Sequence, residues 1–139
     1  LERADLLIGF NIINFDIPIL DKYYHGNLRS LRTLDLLAEV DRVLGRRIGL
    51  DALARSTLGA SKSADGMDAI AWWRAGEIDK IRRYCLDDVR ITKELYEHAL
   101  AHGTLAYEDR GVKRPIPLDT STWEMPAAVA TPMTMTMPW

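Results

Sequence analysis

The sequence predicts a mostly helical α/β protein in which short strands lead into helices. Two short runs, an apolar one at residues 4–10 and a mixed one at residues 32–37, have the length of short strands. Helical segments follow both runs, and residues 77–102 carry apolar side chains at a period close to 3.6. Strands that alternate with helices are typical of an α/β fold.

The first apolar run ends at a polar turn that leads into a helix. Gly9 and Asn11 end the run, and Pro18 suits the first turn of a helix, where its missing N–H is not needed. Asp16 therefore falls at the junction between turn and helix. Junctions of this kind, at the carboxyl ends of strands, are where α/β sheets build their sites.

Glycine residues mark the ends of the other helices. Helices are predicted over residues 36–44, 50–58 and 67–75, with the long helix at 77–102. A polar loop is predicted for residues 61–66 and a β-hairpin for residues 105–117, turning at 109–111. The predicted organisation is a main domain at 1–103, the hairpin at 104–118, and a Pro/Met/Thr-rich tail at 119–139 that forms a flexible extension.

Composition and charge limit the function only weakly. The net charge is -2, so bulk electrostatics do not indicate a nucleic-acid-binding protein, but bound cations can still hold a phosphate chain at an acidic site. The single cysteine, Cys85, excludes an internal disulfide framework and fits a reducing compartment. Without a signal peptide or an apolar membrane span, the predicted location is cytoplasmic, and Leu1 in place of Met fits a protein that begins further upstream.

Two segments carry residues suited to chemistry. GFNIINFDIPIL occupies residues 9–20, and YCLDDVRI occupies residues 84–91. In the second segment Tyr84 and Asp88 are four residues apart, which places both side chains on one face of the helix. That pair alone is weak support for a site, because this spacing occurs by chance in many amphipathic helices.

Taken together and in this order, the two segments resemble the second and third motifs of the DEDD-type 3′→5′ exonucleases, in the branch with a tyrosine in the third motif. The closest resemblance is to the proofreading domains of family B DNA polymerases. Their second motif has the form G-[YF]-N-x-x-x-F-D-x-P-x-L and their third begins Y-C-L-x-D, and every fixed position is present here. The resemblance covers residues 4–102 and implies a ribonuclease-H-like exonuclease fold, with residues 1–103 as its C-terminal portion.

The resemblance implies a role for five residues. Asp16 and Asp88 would help to hold two divalent cations, Mg²⁺ or Mn²⁺, on either side of the scissile phosphate. Tyr84 would orient the attacking water. Asn11 and Phe15 would lie near the terminal nucleotide of a single-stranded nucleic acid 3′ end.

The chain departs from the family at its first motif. DEDD nucleases need four carboxylates, and two of them come from a D-x-E motif that occurs nowhere in this sequence. The first strands of the fold are missing as well, so the implied fold is N-terminally incomplete. Three interpretations stay open: the chain is the C-terminal part of a longer nuclease, another chain supplies the missing part, or catalysis is lost and the chain is an interaction or scaffold subunit.

Other polar residues have more ordinary interpretations. Without the resemblance, Asp16 is better interpreted as a helix cap, and Asp35 is interpreted in the same way. Asp87 points about 100° around the helix from Asp88 and is expected to be solvated. Seven basic residues between positions 29 and 62 either track a phosphate backbone or form a solvated surface: Arg29, Arg32, Arg42, Arg46, Arg47, Arg55 and Lys62.

Overall fold

The computed structural model describes residues 3–60 and 66–126. The strands within these residues are β1 (Leu7–Gly9), β2 (Thr33–Asp35), β3 (Thr104–Asp109) and β4 (Val112–Pro117). The helices are α1 (Asp16–Leu20), α2 (Leu36–Leu44), α3 (Leu50–Leu58), α4 (Gly66–Arg74) and α5 (Ile78–His102), with a single 3₁₀ turn at Leu28–Ser30. The predicted α/β architecture is confirmed.

Strands β1 and β2 form a parallel pair that places two turns side by side. Gly9 and Asp35 are register partners at the carboxyl ends of these strands. In the described part of the chain β1 pairs with β2 alone, so its other edge is open. The carboxyl ends of both strands therefore meet at one border of a two-stranded sheet.

Helix ends follow the predicted glycine signals closely. Helices α2 and α3 have the predicted bounds, and the glycines that follow them, Gly45 and Gly59, adopt the left-handed conformation. Helix α4 begins one residue before the prediction, at Gly66, and ends one residue earlier, at Arg74. The predicted polar loop lies almost entirely at residues 61–65, outside the described residues.

The burial of helix α5 differs between its two halves. Its second half is buried in the core through Ile91, Leu95 and Ala99, all fully inaccessible to solvent. In its first half the apolar stripe is open, and Val89 is 66% exposed. The periodicity of the sequence predicted an apolar face on this helix but not the point along the helix at which other elements stop burying that face. No helix in the described ranges is long and apolar enough to cross a membrane.

The hairpin packs against the same core as the helices. Strands β3 and β4 pair antiparallel, and Arg110 and Gly111 between them both have positive φ angles of 50° and 78°. Two central residues of this conformation form the type I′ turn that suits a two-residue hairpin. Leu105 and Ile116 belong to the core cluster, so the hairpin covers helices α3 and α5 from one side.

Residues 119–126, here called the C-terminal strap, pack against the body of the protein. The guanidinium of Arg32 donates hydrogen bonds to the carbonyl oxygens of Thr122 and Trp123, each at 2.8 Å, and to that of Met125. The tail was predicted to be a flexible extension, and for these residues that prediction is wrong. The remainder of the tail, residues 127–139, lies outside the described residues.

An aromatic contact holds the strap to helix α5. The Trp123 ring is buried and stacks on Tyr96, with the ring centroids 5.8 Å apart and an interplanar angle of 12°. The Tyr96 hydroxyl donates to Glu124 Oε1 at 2.9 Å. Burial of the phenol, with a further contribution from this carboxylate, raises the pKa of Tyr96 to about 12.

Replacement of Trp123 tests the energetic weight of the strap. Trp123→Ala should lower the free energy of unfolding by about 3–5 kcal/mol, because it removes a buried aromatic ring and its stacking contact with Tyr96. Urea denaturation measures the effect. Trp73→Ala is the matched control, since Trp73 is 69% exposed and its loss should change stability by no more than about 0.5 kcal/mol. Equal losses in the two variants would contradict an ordered strap.

Candidate active site

A single buried carboxylate joins the carboxyl ends of β1 and β2. Asp35 Oδ1 accepts hydrogen bonds from the backbone N–H groups of Asn11 at 2.7 Å and Leu37 at 3.0 Å, and Asp35 Oδ2 accepts one from Ile13 at 3.1 Å. The bond to Leu37 confirms the predicted cap of α2. The two other bonds hold the turn that follows β1, so this carboxylate fixes the backbone at the start of the segment at residues 9–20.

The turn after β1 needs its glycine and tolerates its asparagine. A Cβ atom on Gly9 would lie 2.1 Å from Ile12 Cγ2, so only glycine lets the Ile12 side chain fold back over the strand end. Asn11 has a φ angle of 62°, a left-handed conformation in which asparagine is enriched among residues other than glycine. These two constraints give the glycine and the asparagine of the motif a local structural reason.

Asp16 is the first residue of helix α1, but it does not cap that helix. The N-cap position is Phe15, and no side chain makes a capping hydrogen bond there. Partial burial of the carboxyl group raises the pKa of Asp16, its own backbone N–H opposes this shift, and the negative charge of Asp35 adds to it. The cap interpretation is therefore wrong, and the ionised carboxylate is held at some electrostatic cost.

Asp16 and Asp88 line the same cavity. This cavity has a volume of about 800 Å³ and lies between the turn after β1 and helix α5. Asn11 and the apolar residues Ile8 and Phe10 line it from the strand side. From helix α5 come Cys85, Asp88, Val89, Thr92, Lys93, Tyr96 and Glu97.

Tyr84 and Phe15 lie beside the cavity and do not line it. Tyr84 is one turn before Asp88 on α5, and its ring meets Trp72 of α4 edge-on at a centroid distance of 6.3 Å. Phe15 is 59% exposed. Of the five predicted site residues, the fold thus gathers Asn11, Asp16 and Asp88 in one cavity, with the two aromatic residues at its periphery.

The described residues supply few metal ligands. Within residues 3–60 and 66–126, no three histidine, cysteine or acidic side chains are grouped so that they could hold a metal ion. Asp87, which was expected to be solvated, instead has a side chain only 20% exposed and forms an ion pair with Arg90 at 2.6 Å. Asp16, Asp88 and Glu97 are the three cavity-lining carboxylates, and Asp16 and Asp88 are the two that belong to the segments at residues 9–20 and 84–91.

Two features of the site were not predicted from the sequence. The hydrogen bonds from Asp35 to the turn after β1 span more than twenty residues, and only the β1–β2 register suggests them. The second is Arg47, whose Nη2 atom donates to Asn11 Oδ1 at 2.5 Å. In the sequence Arg47 was only one of seven basic residues between positions 29 and 62, and nothing in the loop between α2 and α3 indicated a contact with Asn11.

Removal of the Asp35 carboxylate should destabilise the protein strongly. Asp35→Ala is expected to lower the free energy of unfolding by about 3 kcal/mol, because it removes a helix cap and leaves two further N–H groups without their acceptor. Asp51→Ala removes an acid from the first turn of α3, where its partly exposed ion pair with Arg55 is worth less than about 1 kcal/mol. Urea denaturation compares the two. Similar losses of stability in the two variants would contradict a special contribution of the Asp35 hydrogen bonds.

The raised pKa of Asp16 predicts that this residue lowers the stability of the folded protein as the pH rises. Because the folded state binds this proton more tightly than the unfolded state, stability is lost as pH rises from the ordinary value of 3.8 through the folded pKa. Asp16→Asn should therefore be more stable than the wild type at neutral pH and equally stable well below pH 3.8. Asp79→Asn, which removes an exposed carboxylate paired with Arg82, should show no such gain. A loss of stability in Asp16→Asn at neutral pH would refute the prediction.

Comparison with known proteins gives one match. No curated protein and no solved structure matches the chain. A family model described as RNase_H superfamily matches residues 1–100. This range includes β1, β2 and the two segments at residues 9–20 and 84–91. The chain therefore belongs to the ribonuclease H superfamily.

Proposed function

We propose that this chain is a metal-dependent 3′→5′ exonuclease of the DEDD type, or the C-terminal part of one. The observation that carries the proposal is the shared cavity of Asp16 and Asp88, which belong to the two separate segments that resemble exonuclease motifs. Membership of the ribonuclease H superfamily supports a nuclease-like function. The finer resemblance, to proofreading domains of family B DNA polymerases, makes a single-stranded 3′ end the expected substrate.

The two carboxylates fit hard divalent cations, although they form only half of the site. Mg²⁺ and Mn²⁺ prefer oxygen ligands such as those of Asp16 and Asp88. The other two carboxylates would come from a D-x-E motif on a strand next to β1, supplied by an upstream segment or by another chain. In the described structure β1 pairs with β2 alone, so such a strand could pair with the other edge of β1.

The remaining site residues have distinct tasks in this proposal. Bound cations would supply an activated water and stabilise the leaving 3′ oxygen. Tyr84, held by Trp72, would orient the attacking water from one turn before Asp88. Phe15 would stack against the terminal base with its exposed ring, and the fixed amide of Asn11 would hydrogen-bond the terminal nucleotide.

A non-catalytic interaction subunit is the second candidate. The open edge of β1 and the exposed apolar side chains of Leu86 and Val89 on α5 favour it, because such surfaces are ordinarily covered by a partner. In this case the chain would be retained as a scaffold derived from a nuclease. Size-exclusion chromatography separates the candidates in part, since a clean monomer would weaken the scaffold hypothesis.

Degradation of a 5′-labelled single-stranded oligonucleotide tests the enzymatic proposal. With Mn²⁺ or Mg²⁺ the natural protein should produce a ladder that shortens from the 3′ end. Asp88→Asn should slow this reaction at least about a hundredfold, because changes to groups that only support metal ligands already cost 10–100-fold. Urea denaturation of the variant would confirm that it still folds.

Asp87→Asn is the matched control for Asp88→Asn. It changes the neighbouring carboxylate, which is ion-paired with Arg90 and does not line the cavity, so activity should remain close to wild type. Equal activity of Asp88→Asn and the wild type would contradict the assigned site. Absence of degradation by the natural protein would favour the scaffold subunit.

A further inference from the structure

Two neighbouring arginines in the loop between α2 and α3 have different surroundings. Arg46 lies over the ring of Tyr107, with its guanidinium carbon 4.9 Å from the ring centroid, and pairs with Asp109 at 3.6 Å. Arg47 donates to the side-chain oxygen of Asn11 instead. The first arginine is thus committed to the hairpin, and the second is directed to the turn that borders the candidate active site.

The charge of Arg47 is not neutralised by its neighbour. An amide oxygen carries no formal charge, and among the described residues no carboxylate lies within ion-pair distance of Arg47. Other arginines of the same basic segment do have acidic partners: Arg29 pairs with Asp21, Arg42 with Glu39 and Arg55 with Asp51. Arg47 therefore differs from them in offering a positive charge to a ligand.

The position of this guanidinium is fixed by a short chain of contacts. Arg47 binds the Asn11 side chain, and the Asn11 backbone N–H is in turn held by the buried carboxylate of Asp35. Asn11 itself lines the cavity that contains Asp16 and Asp88. An exposed arginine ordinarily samples many rotamers, so these bonds reduce the entropy that it would lose on binding a ligand.

The negative charge of the candidate site favours a positive charge nearby when a nucleic acid binds. Two carboxylates repel the phosphates of a nucleic acid, and a nearby cation offsets that repulsion. A guanidinium has five N–H donors in a planar fork that matches phosphate oxygens, and the bond to Asn11 leaves most of them available. A single-stranded substrate would bring backbone phosphates to this border of the cavity.

We propose that Arg47, held by Asn11, binds a backbone phosphate of the single-stranded nucleic acid whose 3′ end is processed at Asp16 and Asp88. This inference rests on the proposed exonuclease function and assigns a substrate-binding residue to it. Arg47 takes no part in the chemical step. Its contribution is to the affinity and the register of the strand.

The test compares Arg47→Ala, Arg47→Lys and the control Arg55→Ala in steady-state degradation of a 5′-labelled single-stranded oligonucleotide. Arg47→Ala should raise KM about tenfold with little change in kcat, because a charge-assisted hydrogen bond to bound substrate is lost. It should also lower the slope of log KM against log salt concentration by about 0.7, as expected for one lost phosphate contact. Arg47→Lys should keep the salt slope and recover only part of the affinity, since lysine lacks the planar fork.

A double-variant cycle tests the role of Asn11. Asn11→Gly removes the amide and tolerates the positive φ angle, so the turn should be preserved. If Asn11 acts partly by holding Arg47, the KM effects of the two substitutions should be less than additive in Arg47→Ala/Asn11→Gly. Arg55→Ala should leave both KM and the salt slope unchanged.

The outcomes separate this inference from the proposed function. If the natural protein degrades the oligonucleotide but Arg47→Ala has an unchanged KM and salt slope, the assignment of Arg47 is wrong and the exonuclease function stands. If Arg47→Ala lowers kcat alone, the residue is not a phosphate contact. If the natural protein does not degrade the oligonucleotide, both proposals fail.

Discussion

The candidate site depends on the interaction between one buried carboxylate and two turns. Asp35 ends β2, starts α2 and binds the N–H groups of Asn11 and Ile13 after β1. A buried carboxylate is stable only when hydrogen-bond donors replace its lost water, and here three backbone groups do so. The same bonds fix the left-handed Asn11 and thereby the start of α1, where Asp16 lies. The two carboxyl groups thus differ in their surroundings: backbone donors stabilise the carboxylate of Asp35, while partial burial disfavours the ionised form of Asp16 and raises its pKa.

Helix α5 connects this site to the core. Its second half is anchored by buried side chains and by the strap through Tyr96, whereas its first half carries exposed apolar residues, and both halves contribute side chains to the cavity. Asp88 lies near the boundary between these two environments, directly before the buried Ile91 and Thr92. A rigid frame behind Asp88 limits the movement of its carboxylate.

Local signals account for the parts of the fold that were predicted correctly. Helices α2 and α3, the turn of the hairpin and the strand–turn–helix around Asp16 all depend on residues close in sequence, such as a glycine that accepts a positive φ angle after a helix. The placement of Asp16 and Asp88 in one cavity joins two distant segments, and local signals did not determine it. The prediction for the tail was wrong over residues 119–126 because it rested on a composition rich in Pro, Met and Thr, while the packing of these residues depends on contacts of Trp123 with Tyr96 and of Arg32 with the strap, which join distant segments.

The sequence by itself determined the class of fold, the ends of most helices and the two segments that resemble exonuclease motifs, because periodicity, glycine positions and motif letters can be read from the order of the residues. Only the tertiary structure decided which side chains meet. The bonds of Asp35 to the turn after β1, of Arg32 to the strap and of Arg47 to Asn11 all join segments far apart in the chain. The same holds for the exposed first half of α5, because burial depends on the elements that pack against a helix and not on its own pattern.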